Sequence, residues 1–297
     1  MTSSSSAAPR SYADRCPGVL RPWLADDGAI VRVRVPGGSV RTTVLAVLVD
    51  LAERWGDGTV LLTSRANLQL RGLPATDGCV PAEVVDAIEA LGLLPSWTHE
   101  RVRNVVASPL TGRHGGLADL RPVVRSLDAA LLADPALAAL PGRFLFVLDD
   151  GRGDVADRPL DLGLVAVDDG HAQLRAGTDV WGPVVPLDEA ADAVVALARA
   201  FLARRGEGAS AWWHVDELQR NGRPLLAPWP REAPHADAPP PPYGPLVQDD
   251  GRSALHVAVP DGLLTHDTFR PLRDTGARTL VVTPWRSVLA VDLEEPA

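Results

Sequence analysis

Few residue types in this chain can do chemistry. Cysteine occurs twice, at Cys16 and Cys79. Two thiols do not make a disulfide framework, and an iron–sulfur cluster normally takes four thiolates. The seven histidines, His99, His114, His171, His214, His235, His256 and His266, do not fall at metal-ligand spacing. Lysine is missing altogether, so the glycine-rich stretches PGG (36–38) and HGG (114–116) have no phosphate-loop partner, and GxGxxG spacing does not occur. DDGRGD, 149–154, pairs carboxylates where a solvated hairpin turn is expected. Trp212, Trp213 and His214 read as packing behind a long helix. What remains is arginine and asparagine placed in turns. Arg65 and Asn67 share one tight turn, and Arg286 sits in a second that resembles it. Asparagine occurs only at Asn67, Asn104 and Asn221, which draws attention to those positions.

Both turns belong to a repeat. One copy runs DDGAIVRVRVPGG from Asp26, then an amphipathic segment, then TVLLTSRANLQLRGL (59–73). The other runs DDGRSALHVAVPDG from Asp249, an amphipathic segment, then TLVVTPWRSVLAVDL (279–293). Each copy predicts strand, helix, strand, tight turn, strand, as duplicated half-domains would. Residues 29–35 alternate like a half-buried strand. Over 41–55, Val44, Leu45, Leu48, Leu51 and Trp55 form one helical stripe. A second helix is expected over 80–94, a strand in RVRNVVASPL, and a helix over 119–133. Strands follow in 143–153, 160–167 and 171–177. Over 187–206 an acidic first turn and Arg204-Arg205 before Gly206 mark the clearest helix. The stretch 224–244 is too rich in proline for helix or central strand and reads as a semi-rigid linker. The expected fold is α+β. Its parts are a disordered tail (1–21), a first half-domain (22–77), a central domain (78–223), the linker, and a second half-domain (245–297). Neither half alone buries a comfortable core, so the two are expected to pair pseudo-symmetrically.

LTSRANLQLRGL (62–73) resembles the signature of the ferredoxin-like half-domain of nitrite and sulfite reductases. RNVVASPLTG (103–112) resembles the start of that family's central domain, and the wording of both is similar to the precorrin-3B synthase branch of cobalamin biosynthesis. The resemblance implies a siroheme or related tetrapyrrole, as cofactor or as substrate. It places Arg65, Arg103 and Arg143 on the macrocycle's carboxylates, with Asn67 and Asn104 at the same site as turn-fixing or contacting residues. Guanidinium suits the task because it offers planar, bidentate hydrogen bonds and stays charged at any working pH. Reductases of the family carry a second basic residue where this chain has Leu145, which weakens an inorganic-anion reading. They also bind a [4Fe–4S] cluster through four cysteines that have no match here. The implied activity is a precorrin-3B synthase-like monooxygenase, an oxygen-dependent oxidoreductase. The rivals are a non-catalytic tetrapyrrole-binding protein, a subunit relying on a separate iron–sulfur or electron-donor protein, and a nitrite/sulfite reductase-like siroheme protein.

Bulk properties narrow the partners. A net charge of −9 argues against nucleic acid, which demands a basic face. No apolar run is long enough to span a bilayer. The N-terminus lacks an apolar signal core, so the expected location is cytoplasmic.

Overall fold

The two copies of the repeat trade a strand. The computed structural model describes residues 14–294. The first copy contributes β1 (Trp23–Ala25), β2 (Gly28–Val33), β3 (Ser39–Arg41), α1 (Thr42–Trp55), β4 (Val60–Leu62) and β5 (Leu68–Leu73), followed by α2 (Ala82–Ala90). Next in the chain come β6 (Val105–Ala107), α3 (Arg121–Ala133), β7 (Phe146–Asp149), β8 (Leu162–Ala166), β9 (His171–Ala176), β10 (Val180–Pro186), α4 (Leu187–Arg204) and α5 (Val215–Arg220). The second copy supplies β11 (Gly244–Val247), β12 (Ser253–Ala258), β13 (Leu263–Leu264), α6 (His266–Asp274), β14 (Thr279–Val282) and β15 (Ser287–Leu293). One sheet has the order β1-β2-β5-β4-β13 and another β11-β12-β15-β14-β3. Thus β13 of the second copy closes the first copy's sheet on β4, and β3 of the first closes the second's on β14.

This exchange follows from burial. The α1 stripe of Val44, Leu45, Leu48, Val49, Leu51 and Ala52 is buried, and it faces α6, whose Phe269 and Leu272 are also buried. One core holds Val31, Leu45, Leu48, Leu62 and Leu70 together with Leu264, Phe269, Leu272, Leu280 and Val288. The pairing of half-domains expected from their small size is therefore present as a shared core.

The central sheet runs β10-β9-β8-β7-β6. Strands β6, β7 and β8 are parallel and β8, β9 and β10 antiparallel. Helices α3 and α4 pack together over it, around Phe144, Phe146 and Phe201, with ring centroids 5.2 and 4.9 Å apart. Trp212 joins the same core, and His214 caps α5 by accepting from the Asp216 N–H. Among the described residues no helix is long and apolar enough to cross a membrane.

Three expectations change. Of the tail expected over 1–21, residues 1–13 lie outside the described residues, but 14–21 are packed. The Glu100 carboxylate accepts from the N–H groups of Val19 and Leu20, and Asp14 accepts from the Gly142 N–H at 2.6 Å. Val19, at 2% exposure, supplies the apolar burial that a solvated tail lacks. The proline-rich stretch has no helix or strand between Arg220 and Gly244, yet it is strapped down. Gln173 Nε2 donates to the Pro230 carbonyl and its Oε1 accepts from Glu232 and Ala233, while Arg175 and Arg231 both pack on the Trp181 ring. DDGRGD is buried rather than solvated. Asp149 accepts from three backbone N–H groups, of Gly151, Gly153 and Val155, and Asp150 is held bidentately by Arg152.

Candidate functional site

The duplicated turns superpose bond for bond. Thr63 N–H donates to the Asn67 carbonyl at 2.9 Å and Ala66 N–H to the Thr63 carbonyl at 3.0 Å. In the second copy Thr283 donates to Ser287 at 2.9 Å and Arg286 to Thr283 at 3.1 Å. Ala66 and Arg286 both take left-handed backbone, φ 55° and 62°. Arg65 therefore corresponds to Trp285, and Arg286 to Ala66. Gly38 and Gly262, φ 73° and 72°, sit between their own copy's turn and the end of the other copy's strand, β14 or β4. A Cβ on Gly38 would run into the Val282 carbonyl, and one on Gly262 would sit 3.0 Å from Arg286 Cβ.

Guanidinium groups gather over the first copy's turn. Arg32, Arg65 and Arg286 line a depression of about 210 Å³ with Gln69 and Ser64. Arg65 Nη1 donates to the Arg143 carbonyl at 2.8 Å, which brings Arg143 alongside. Arg32 donates twice to Gln69 Oε1, at 3.2 and 2.7 Å. Arg158, on the central domain, donates to the carbonyls of Ser64 and Pro284. Among the described residues none of Arg32, Arg65, Arg143, Arg158 or Arg286 forms an ion pair with a carboxylate. Burial pushes Arg32, Arg65 and Arg158 below the usual guanidinium range. Just beyond the end of β2 comes Arg34, 1% exposed, pushed down to about 9, foremost by burial and then by Arg32. Its Nη groups reach the Arg32 and Pro17 carbonyls, and its Nε has no partner.

Arg34 also lines a larger cleft of about 540 Å³ between the Pro36–Gly38 turn, α3 and β14. Arg103 lies there, not over the turn. The expectation that Arg65, Arg103 and Arg143 share one cleft is corrected: only Arg65 and Arg143 adjoin. Arg103 is gripped bidentately by Asp128 of α3, at 2.6 and 2.8 Å. Arg113 and Arg121 in the same cleft are likewise paired, with Asp292 and Asp119. This cleft is basic but largely compensated.

The asparagines do not face a ligand. Asn67 is 0% and Asn104 1% exposed. Asn67 Nδ2 donates to Asn104 Oδ1 at 3.0 Å, and Asn67 Oδ1 accepts from Val35 N–H. Asn104 Nδ2 reaches the carbonyls of Gly142 and Phe144. Burial and full hydrogen bonding make them the splint that fixes the Arg65 turn against the Arg143 loop. Leu145 is buried with Val106, Val147, Val155 and Leu160, so its position offers nothing to an anion.

The second copy's equivalent face is closed. His256 stands opposite Leu289 as Arg32 stands opposite Gln69. Burial pushes its imidazole down. Nδ1 lies 2.9 Å from the Pro241 carbonyl, Nε2 lies 2.7 Å from Ser287 Oγ, and Tyr243 covers the ring. The proline strap thus occupies this face, leaving one open basic face. Arg32 was legible as a strand residue that could add to this face, while sequence reasoning missed Arg34 and Arg158. Arg34, past the end of β2, and Arg158, in a loop of the central domain, carried no signal.

Elsewhere, Asp149, Asp150 and Asp154 carry oxygens within 4.8 Å of one another. Arg152 and backbone N–H groups already serve two of them. Asp154 is pushed up to about 7, chiefly by burial. Ser108 Oγ donates to it at 2.6 Å. Cys16 is half-buried and Cys79 exposed. A polycarboxylate tetrapyrrole fits the uncompensated guanidiniums; a [4Fe–4S] cluster does not fit two thiols.

Fold and turn together define a class. Residues 24–78 match the nitrite/sulfite reductase ferredoxin-like half domain, and the chain carries that half domain within an α+β fold of the nitrite/sulfite reductase type. Its likeness to the solved structure of the Mycobacterium tuberculosis NirA protein covers 97% of this chain and 58% of that one, with a TM-score of 0.69 at 18% identity. Among individual relatives, it is 33% identical over 137 residues to precorrin-3B synthase of Sinorhizobium sp, covering 46% of this chain and 28% of that protein. It is 29% identical over 195 residues to ferredoxin–nitrite reductase of Synechococcus elongatus, covering 58% and 37%. The chain thus spans well under half the length of these two relatives.

Proposed function

We propose that this chain binds a polycarboxylate tetrapyrrole on the face built from Arg32, Arg34, Arg65, Arg143 and Arg286, as a precorrin-3B synthase-like oxidoreductase. The observation that carries the reading is the gathering of guanidiniums, three of them with depressed pKa, and none with a carboxylate partner among the described residues. Like charges held together cost free energy unless an anion compensates them. Arg34, buried two residues beyond Arg32, adds its charge from behind the face, while Arg32, Arg65 and Arg286 line the depression that meets the ligand. Buried Leu145 favours a macrocycle over an inorganic oxyanion: no further positive charge stands behind Arg143. The tetrapyrrole supplies the redox chemistry when bound. The protein's residues grip its carboxylates, exclude water along β2, and fix the turn through Asn67 and Asn104.

A second reading is a tetrapyrrole-binding chain that works with a separate cysteine-bearing or electron-donor protein, favoured by the presence of only two cysteines. Titration of siroheme and of uroporphyrin, followed by absorbance, tests the shared core of both. Saturable spectral shifts that weaken in Arg32→Ala and Arg65→Ala are expected. Equal binding by a variant with Arg32, Arg65 and Arg143 all replaced by alanine would remove the chemical support. Turnover of precorrin-3A by the isolated chain, against turnover only with added iron–sulfur protein, separates the two readings.

A further inference from the structure

Arg158 stands in a place the duplication defines. Its Nη1 donates to the Ser64 carbonyl at 2.9 Å and its Nη2 to the Pro284 carbonyl at 3.3 Å. Ser64 and Pro284 are equivalent residues of the two turns, so one guanidinium bridges the same atom of both copies across their pseudo-twofold. The residue after Ser64 is Arg65. Two residues after Pro284 is Arg286, held at φ 62°. These are the two side chains that enter the small depression from opposite copies. No carboxylate pairs with Arg158 among the described residues, and its half-buried charge adds to the same field.

We infer that Arg158 is a positioning residue, a bracket from the central domain that sets both turns at once and so fixes the spacing of Arg65 and Arg286 for the polyanion. Its role toward the ligand rests on the tetrapyrrole reading; its role toward the turns does not. The fork is needed because two separate carbonyls are held by one planar group, which an ammonium does not reproduce. The bracket also ties ligand binding to the docking of the central domain on the paired half-domains. A ligand that pulls on Arg65 loads the contact through Ser64, and the second copy feels it through Pro284.

The test uses the full chain with Arg158→Ala and Arg158→Lys, reading amide hydrogen exchange and uroporphyrin binding. In both variants the amides of Ala66, Asn67, Arg286 and Ser287 are expected to exchange about tenfold faster or more, as local opening becomes easier, while the β7 and β8 amides keep their protection. Uroporphyrin affinity is expected to fall about tenfold or more, equivalent to 1.4 kcal/mol, with Lys failing to rescue it. Loosening of only one turn, or neither, overturns the bracket. Full rescue by Lys overturns positioning in favour of charge alone. Loosened turns with unchanged affinity overturn the ligand role and leave the tetrapyrrole reading standing. If the wild-type chain binds no uroporphyrin, the tetrapyrrole reading fails, and the exchange result still decides the bracket.

Discussion

Arginines of one sequence context divide into two physical kinds. Arg65 meets only a carbonyl, whereas Arg103 meets both oxygens of Asp128. Removing Arg65 relieves an uncompensated charge, so Arg65→Ala should cost less than about 1 kcal/mol of stability. It should weaken tetrapyrrole binding by roughly 1.5–3 kcal/mol, the scale of a charge-assisted hydrogen bond. Arg103→Ala strands Asp128 and should instead cost about 1–3 kcal/mol of stability. Denaturant unfolding beside porphyrin titration checks the contrast, and the reverse order would reverse the assignment. Asp154 gives a pH signature of its own. Its carboxyl, 3.8 in its ordinary state, rises to about 7 in the fold, so the folded chain holds that proton more tightly. The stability this contributes is present at acid pH and is lost as pH rises from about 4 to about 7. Asp154→Asn mimics the protonated form. It should match wild type near pH 3, fall between at pH 5, and exceed it at pH 8 by an amount on the order of 2–4 kcal/mol, read from urea unfolding across that range.

At the scale of elements, the exchange of β3 and β13 depends on two glycines that are not equally constrained. Gly38 faces a fixed backbone oxygen, of Val282, and Gly262 faces the Arg286 side chain and the Leu62 carbonyl at 3.3 Å. Both need left-handed backbone, which costs any other residue about 1 kcal/mol or more. Gly38→Ala adds a clash that only backbone movement relieves, so it should destabilise by at least about 2 kcal/mol and by more than Gly262→Ala. Equal thermal shifts for the two variants would count against the described approach of β3 to β14. The strand–helix–strand–turn–strand order of each copy was legible because apolar periodicity and the glycine-rich turns recur in it. The exchange was not legible: β3 and β13 are two or three residues long, and a strand that short has no period. The site was half legible. Arg65 meets the Arg143 backbone carbonyl, so these two of the three expected arginines adjoin. Arg103 was misplaced because its partner, Asp128, lies on a helix whose rotation the sequence does not specify. The burial of DDGRGD was missed for a similar reason. Its carboxylates are satisfied by its own backbone and by Arg152, a pairing that composition does not distinguish from a solvated turn.

For the molecule as a whole, the duplicated halves are one folding unit interrupted by a long insertion. The core that joins them includes residues from α1, β2, β5, α6 and β14, and each half donates a strand to the other's sheet. The covalent path between them runs through the central domain and the strap. Backbone continuity at the strap is therefore not what holds the second half in place. Pro239 and Pro240 are exposed, and a protease site inserted between them should be cleaved in the native protein. The C-terminal fragment should then stay bound through gel filtration, because its apolar face and the β3–β14 and β4–β13 ladders remain buried. Cleavage turns an intramolecular pairing into an association, so dilution and denaturant should now separate the fragments, and the apparent unfolding midpoint should depend on protein concentration. Wild-type protein should show no such dependence. Bound uroporphyrin should raise the nicked protein's midpoint, since Arg286 comes from one fragment and Arg32 and Arg65 from the other. A ligand that binds only the first copy would stabilise its fragment without retaining the second, so retention of both on dilution measures whether the binding face is shared.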